Sequence, residues 1–185
     1  MTVKAGKHAL ETGIWSLDPV HSEIGFAVRY AGISKVKGGF KDVAATINVR
    51  EDSEEAFEIT AIAKTDSFDS GDANRDNHVR GEEFLDAANF PEVLFDSTKV
   101  TFDGEDFVLK GNLTIRGVTK PVKFKGSFNG IARDPFGVLR AGMDATATIN
   151  RKDFGIVWNA ALDTGGVLVG DKVKLVLDLS FVYDE

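Results

Sequence analysis

The segment KVKLVLDLSFVY, residues 172–183, decides the fold class. Val173, Leu175, Leu177, Leu179, Phe181 and Tyr183 fall on one side of an extended chain, and Lys172, Lys174, Asp178 and Ser180 on the other. Successive side chains of a strand point to opposite faces, so this period of two predicts a strand with one face buried and one in water. The pattern recurs upstream. Ile24, Phe26, Val28 and Tyr30 alternate with Glu23, Gly25, Ala27 and Arg29. Val43, Ala45, Ile47 and Val49 form a further face, as do Phe57, Ile59, Ala61 and Ala63. VLFDSTKVTF (93–102) and DFVLKGNLTIRG (106–117) are joined through Asp103-Gly104-Glu105, a hairpin signal. After the turn at Gly117 come Val122, Phe124 and Phe128; after the bend DPFGV (134–138) come Ala141, Met143, Ala145, Ala147 and Ile149.

These segments predict an all-β domain of about eight antiparallel strands. A sandwich gives the same alternation. Strand length favours closure, because several runs exceed the usual ~5–6 residues, and closing a barrel removes exposed edges. Two connections break the rhythm and are expected to hold short helical segments. In residues 65–91, RGEEFLDAANF (80–90) reads as a helix stopped by Pro91; residues 151–170 hold a helical turn followed by a glycine-containing loop.

The chain has 185 residues, 43% hydrophobic and 28% charged, which fits one soluble domain with its own core. Residues 1–13 read as a flexible N-terminal tail and 14–185 as the single domain. Cysteine is absent, so thiolate chemistry and disulfides have no place here. A net charge of −7 argues against nucleic acid or an anionic membrane surface as main partner. No apolar window reaches the length of a membrane span, so no stable membrane insertion is expected. No signal-peptide pattern precedes Trp15, which predicts a cytoplasmic protein unless the N-terminus is truncated. Phenylalanine is abundant, 14 residues against two each of Trp and Tyr, and suits either a dry core or an apolar guest.

Asp18, His21 and Ser22 are the residue types of a hydrolytic triad. His21 and Ser22 are neighbours, however, and on a strand they point apart. A metal site is a second possibility. His78 and Glu82 would share a helical face, with Asp76 and His21 as further ligands, but no metal-ligand motif is matched and NRDNH (74–78) reads better as a hydrogen-bonded loop. No catalytic residue, metal or cofactor is therefore assigned.

Five motifs in order carry a family resemblance: Trp15-x-x-Asp18-x-x-His21-Ser22 with Phe26 and Gly39-Phe40, RDNHVRGEEFLDAANFPEVLFDS (75–97), GNLTIRGVTKPV (111–122), NRKDFGI (150–156), and the last strand from Val173. Together they resemble the YceI-like polyisoprenoid-binding family from about Trp15 to Tyr183. The resemblance implies a lipocalin-like antiparallel barrel, a homodimer, and a long-chain isoprenoid lipid of polyprenyl or quinone type held inside for carriage, storage or sequestration. An enzyme acting on such a lipid, metal-assisted through His21 and His78, is the alternative. The inward apolar residues expected to line the channel are Phe26, Phe95, Leu109, Leu113, Phe124, Phe128, Met143, Leu175 and Leu177, with Trp158 near the mouth. Asp18, His21, Arg75, Asp76, His78, Arg151 and Asp153 are expected to form one polar cluster closing that mouth.

Overall fold

The structure is a computed structural model that describes residues 1–51 and 56–185. Its strands, in chain order, are β1 (Thr2–Ala5), β2 (His8–Glu11), β3 (Gly13–Leu17), β4 (Glu23–Tyr30), β5 (Ser34–Phe40), β6 (Val43–Val49), β7 (Phe57–Lys64), β8 (Phe68–Asp69), β9 (Glu92–Asp103), β10 (Asp106–Ile115), β11 (Val118–Arg133), β12 (Leu139–Asn150) and β13 (Val169–Tyr183). One helix, α1 (Ala73–Arg80), lies between β8 and β9.

Eight strands close a ring in the order β12-β11-β10-β9-β7-β6-β3-β13, with β13 returning to β12; every pairing is antiparallel. The all-β barrel read from the alternation is thus the observed fold. β13 sets its inward face: Phe181 lies opposite Ala141, Leu179 opposite Met143, Leu177 opposite Ala145 and Leu175 opposite Ala147. In three of these four pairs a large residue of β13 meets an alanine of β12, which lets the inner layer interdigitate without overpacking.

On its other edge β13 meets two strands rather than one. β3 pairs with Phe181–Tyr183 and β4 with the lower part, from Asp178 down to Val169. Between them Asp18 caps a 3-10 turn at Pro19–His21, its carboxylate accepting from the Val20 amide at 3.0 Å. β5 pairs with β4 and then with the two-residue β8, so β4, β5 and β8 form a flap continuing from β13. Lys35 and Lys37 are exposed along β5, a disposition that discourages edge-to-edge association.

Two expectations need correction. Residues 1–13, read as a tail, form the hairpin β1–β2 and lead into β3. Ala5 and Leu10 are buried, and the Lys7 amide donates to the Gly104 carbonyl at 2.9 Å. Gly6 is required there: at φ 63° a Cβ would stand 2.0 Å from Gly104 O. The apolar signal of this short hairpin is only Val3, Ala5 and Leu10, too few to register until the β9–β10 turn is beside them. The helix is also displaced. α1 begins at Ala73, capped by Asp72 whose carboxylate accepts from the Arg75 amide at 2.8 Å, and it ends at Gly81. The segment 82–90 is instead a string of turns, with Gly81 O accepting from Phe84 and Asp86. ANRDNHVR has no apolar face to reveal a helix; its cap and its packing on β8 create it.

Phe154, on the 3-10 turn Arg151–Phe154, is 2% exposed inside the core. Phe154→Ala should cost about 3–5 kcal/mol. Phe136→Ala, on the exposed β11–β12 turn, should change stability by no more than about 0.5 kcal/mol. Urea denaturation of both variants checks the contrast.

Candidate functional site

The barrel interior divides into a filled half and an accessible half. Phe95, Leu109, Leu113, Phe124, Phe128 and Met143 are all buried in one apolar cluster. Phe95 and Phe124 meet edge to face at 5.6 Å. The Phe95 ring lies over Gly111 and the Phe107 ring over Gly126, where added Cβ atoms would come within 2.4 and 2.6 Å of the rings. Glycines on β10 and β11 thus make room for rings that fill this side of the barrel. The six residues expected to line a channel on this side are thus buried against one another.

Across the interior, Ile24, Phe26, Leu175, Leu177 and Leu179 point inward but remain only half-buried. Phe26 stacks on Phe68 at 5.2 Å, and Phe40 meets the same ring edge-on at 5.8 Å. Beside these residues the wall is interrupted. Gly13–Ser16 pairs with Thr46–Val49 and Gly25–Tyr30 with Ser34–Gly39, but among the described residues no ladder joins 17–24 to 40–45. Ser22 mends only the β13 side: its hydroxyl accepts from the Ser180 amide at 2.9 Å and faces the Ser180 carbonyl at 3.3 Å.

A cavity of about 770 Å³ sits at this interruption. Leu17, Ile24, Phe26, Phe40 and Val43 contribute from the inner face, and Glu23, Lys37, Lys41 and Asp178 from the outer one. Its size falls within the ~300–1,000 Å³ usual for small-molecule sites. Phe68 and Val43 carry no distinguishing mark in the sequence; Phe68 sits in the polar run TDSFDSGD and is turned inward by its bridge to Phe40.

The seven polar residues do not form one mouth. Asp18 and His21 stand at the β12 end marked by Arg140: Asp18 Oδ2 accepts from Arg140 Nη1 at 2.6 Å and from His21 Nδ1 at 2.7 Å. Arg140 Nε donates in turn to Asp134 at 2.9 Å. Arg140 and Asp134 could not be found from sequence, since their partner Asp18 lies 122 residues from Arg140. Arg75 and Asp76 converge on Ser70, where Arg75 Nε donates to the hydroxyl at 2.7 Å and Asp76, 5% exposed, accepts from the Ser70 amide at 2.9 Å. They pin α1 to the chain leaving β8.

His78 and Arg151 belong to the opposite end of β12. His78 Nε2 donates to Glu83 at 2.6 Å, and its ring packs edge-on against Trp158 at 4.7 Å and Phe84 at 5.0 Å. Trp158 is therefore part of the cover at this end, beside His78 and not in the channel. Arg151 is 4% exposed and donates to the carbonyls of Ile156, Trp158, Val169 and Gly170 at 2.9–3.3 Å. Burial pulls its pKa down, partly opposed by Asp171. Asp153 is exposed.

Chemically these groups are fasteners. Arg140 holds the Asp18 carboxyl down from its ordinary 3.8 to about 2, with His21 contributing. Ser22 is committed to β13 backbone, away from the Asp18–His21 pair. Among the described residues no three His, Asp or Glu side chains gather as metal ligands, and no helix is long and apolar enough to cross a membrane.

The fold defines a closed antiparallel β-barrel with a cavity at the break in its wall, apolar on one side and charged on the other. The family model for the YceI-like domain matches residues 15–181, and the chain belongs to that family. A UPF0312 protein of Yersinia pestis (strain Pestoides F) is 38% identical over 162 residues, covering 88% of this chain and 81% of the relative. The Campylobacter jejuni YCEI protein superposes with a TM-score of 0.72 at 29% identity, over 91% of this chain and 97% of that one. A polyisoprenoid binding domain from Saccharophagus degradans, implicated in plant cell wall breakdown, shares the fold with a TM-score of 0.67 at 13% identity, over 92% of this chain and 98% of that one.

Because the folded pKa of Asp18 lies below its unfolded value, ionised Asp18 stabilises the fold fully above pH about 4 and loses this effect as pH falls toward about 2. Arg140→Gln should lower the melting temperature at neutral pH, and the gap from wild type should narrow through that acid window. A gap constant down to pH ~2 would contradict the pairing. Arg151→Lys, which cannot reach all four carbonyls, should cost about 1–3 kcal/mol in urea denaturation.

Proposed function

We propose that the protein binds one long-chain isoprenoid lipid, of polyprenyl or isoprenoid-quinone type, in its barrel interior, for carriage, storage or sequestration. The observation that carries this reading is the apolar side of the cavity of about 770 Å³, lined by Leu17, Ile24, Phe26, Phe40 and Val43, with the half-buried Leu175 on the strand paired to Phe26. An apolar lining suits a long, slender hydrocarbon chain, and burial stabilises it by about 0.8 kcal/mol per methylene, offset in part by ordering the tail. Membership of the YceI-like family and the likeness of fold to the Saccharophagus polyisoprenoid binding domain support this ligand class. Head-group selection falls to the outer residues at the cavity, Glu23, Lys37, Lys41 and Asp178.

The reading is of a binding protein. Ser22 lacks the histidine contact that a nucleophile needs, and His21 and His78 are each engaged with one carboxylate at different ends of the barrel. A homodimer, taken from the family resemblance, and a cytoplasmic setting complete the proposal.

Organic extraction of the purified protein followed by mass spectrometry should recover a polyprenyl chain or an isoprenoid quinone. Stripped protein should take up added polyprenol, and Val43→Trp, which narrows the cavity, should weaken uptake about tenfold with little change in melting temperature. Absence of both co-purified lipid and uptake would refute the function.

A further inference from the structure

The two most exposed large apolar side chains on one side of the barrel belong to a single hydrogen-bonded unit. Phe136 is 91% exposed at the β11–β12 turn, and Val20 is 83% exposed on the 3-10 turn between β3 and β4. The Val20 amide donates to Asp18 Oδ1, Asp18 Oδ2 accepts from Arg140, Arg140 Nε donates to Asp134 Oδ2, and Asp134 Oδ1 accepts from the Phe136 and Val138 amides at 2.9 and 3.0 Å. One arginine between two aspartates thus ties both apolar residues to the same corner. Pro19 and Val20 also line the cavity of about 770 Å³.

The turn bearing Phe136 satisfies its polar groups internally. The Asp134 amide donates to the Val138 carbonyl at 2.9 Å and the Gly137 amide to the Asp134 carbonyl at 3.0 Å. Arg133 donates to the Gly137 carbonyl at 2.5 Å and pairs with Glu185 at 3.4 Å. Exposed turns have water for this purpose and do not need such closure. A turn whose amides and charges are already paired can leave water at little cost, while its phenylalanine has no partner within the chain.

We propose that this corner docks reversibly on a phospholipid bilayer through Phe136 and Val20, so that an isoprenoid chain passes from the membrane into the adjoining cavity without crossing bulk water. This rests on the binding function proposed above. The occupant is a bilayer because Val20, tied to Phe136 through Asp18, Arg140 and Asp134, lines the cavity proposed to receive a lipid. The N-terminal hairpin, with Ala5 and Leu10 buried, and the 81–90 turns, with Leu85 and Ala87 buried, cover the barrel's two ends and leave the interrupted wall beside this corner as the route inward. The net charge of −7 and the pairing of Asp18, Asp134 and Arg140 make the contact apolar, so it needs no anionic lipid.

Uptake of a polyprenol is compared for wild type, Phe136→Ser and Ile33→Ser, the last altering an exposed residue on the β4–β5 turn away from this corner. The polyprenol is offered in phosphatidylcholine vesicles and, separately, in detergent micelles. Phe136→Ser should extract it from vesicles about tenfold more slowly than wild type yet match wild type with micelles; Ile33→Ser should match wild type with both. Raising the salt concentration should leave vesicle uptake unchanged. Unimpaired vesicle uptake by Phe136→Ser, an equal loss in Ile33→Ser, strong salt inhibition, or a changed oligomeric mass in Phe136→Ser would overturn the proposal, the last by marking a protein interface.

If wild type takes polyprenol from neither source, the binding function fails, and docking is judged separately. Phe136→Trp should then show a blue-shifted emission on adding plain phosphatidylcholine vesicles; no shift overturns docking as well.

Discussion

Strand β13 must hold neighbours on both edges along its length, and on one edge its partner is broken in two. That break has the largest consequences in the structure. On the β12 side the ladder is continuous from Lys172 to Val182 and closes the ring. On the other side the chain leaves the sheet at Asp18, makes one 3-10 turn, and rejoins at Glu23. A backbone that leaves a sheet abandons amides and carbonyls that need replacement partners. Asp18 and Ser22 supply them for β13, but among the described residues no ladder joins 17–24 to 40–45, and the wall opens there. Closure of the barrel and access to its interior come from two edges of the same strand.

Phenylalanine serves two purposes in this interior. Phe95 and Phe107 lie across glycines of the next strand and make the β9–β11 side solid. Phe26, Phe40 and Phe68 form a smaller stack that remains partly accessible beside the cavity. The difference follows from the strand partners. β10 is paired along its length with β9 on one side and β11 on the other, so its inward residues have neighbours on both sides. β4 and β5 belong to a flap whose outer edge is held only by Gly39 and Phe40.

The polar residues of the recognisable motifs act mainly on backbone. Arg151 gathers four carbonyls from two loop segments, and Arg75 with Asp76 binds α1 to Ser70. A buried guanidinium surrounded by carbonyls is costly to form and costly to disturb, which suits a fixed joint better than a binding group. His78 packs against both Phe84 and Trp158, which also meet each other, and so helps to hold this end together. One polar mouth built from all seven residues is not observed, because the elements carrying them run to opposite ends of β12.

Alternation alone determined most of the longer strands, their inward faces and the all-β class, because a strand's two faces repeat every two residues whatever it packs against. It placed Phe26, Leu175 and Leu177 on the inside as firmly as Phe95 and Leu113, and could not separate accessible positions from filled ones. The helix escaped it: ANRDNHVR shows no apolar face, and capping by Asp72 with packing against β8 creates α1. The N-terminal hairpin escaped it too, since Gly6 is meaningful only with Gly104 O against it. Tertiary structure alone decided where the ring breaks, which rings cover which glycines, and that Asp18 meets Arg140. These are relations between residues far apart in the chain, and a one-dimensional pattern holds no distance between them until the barrel closes.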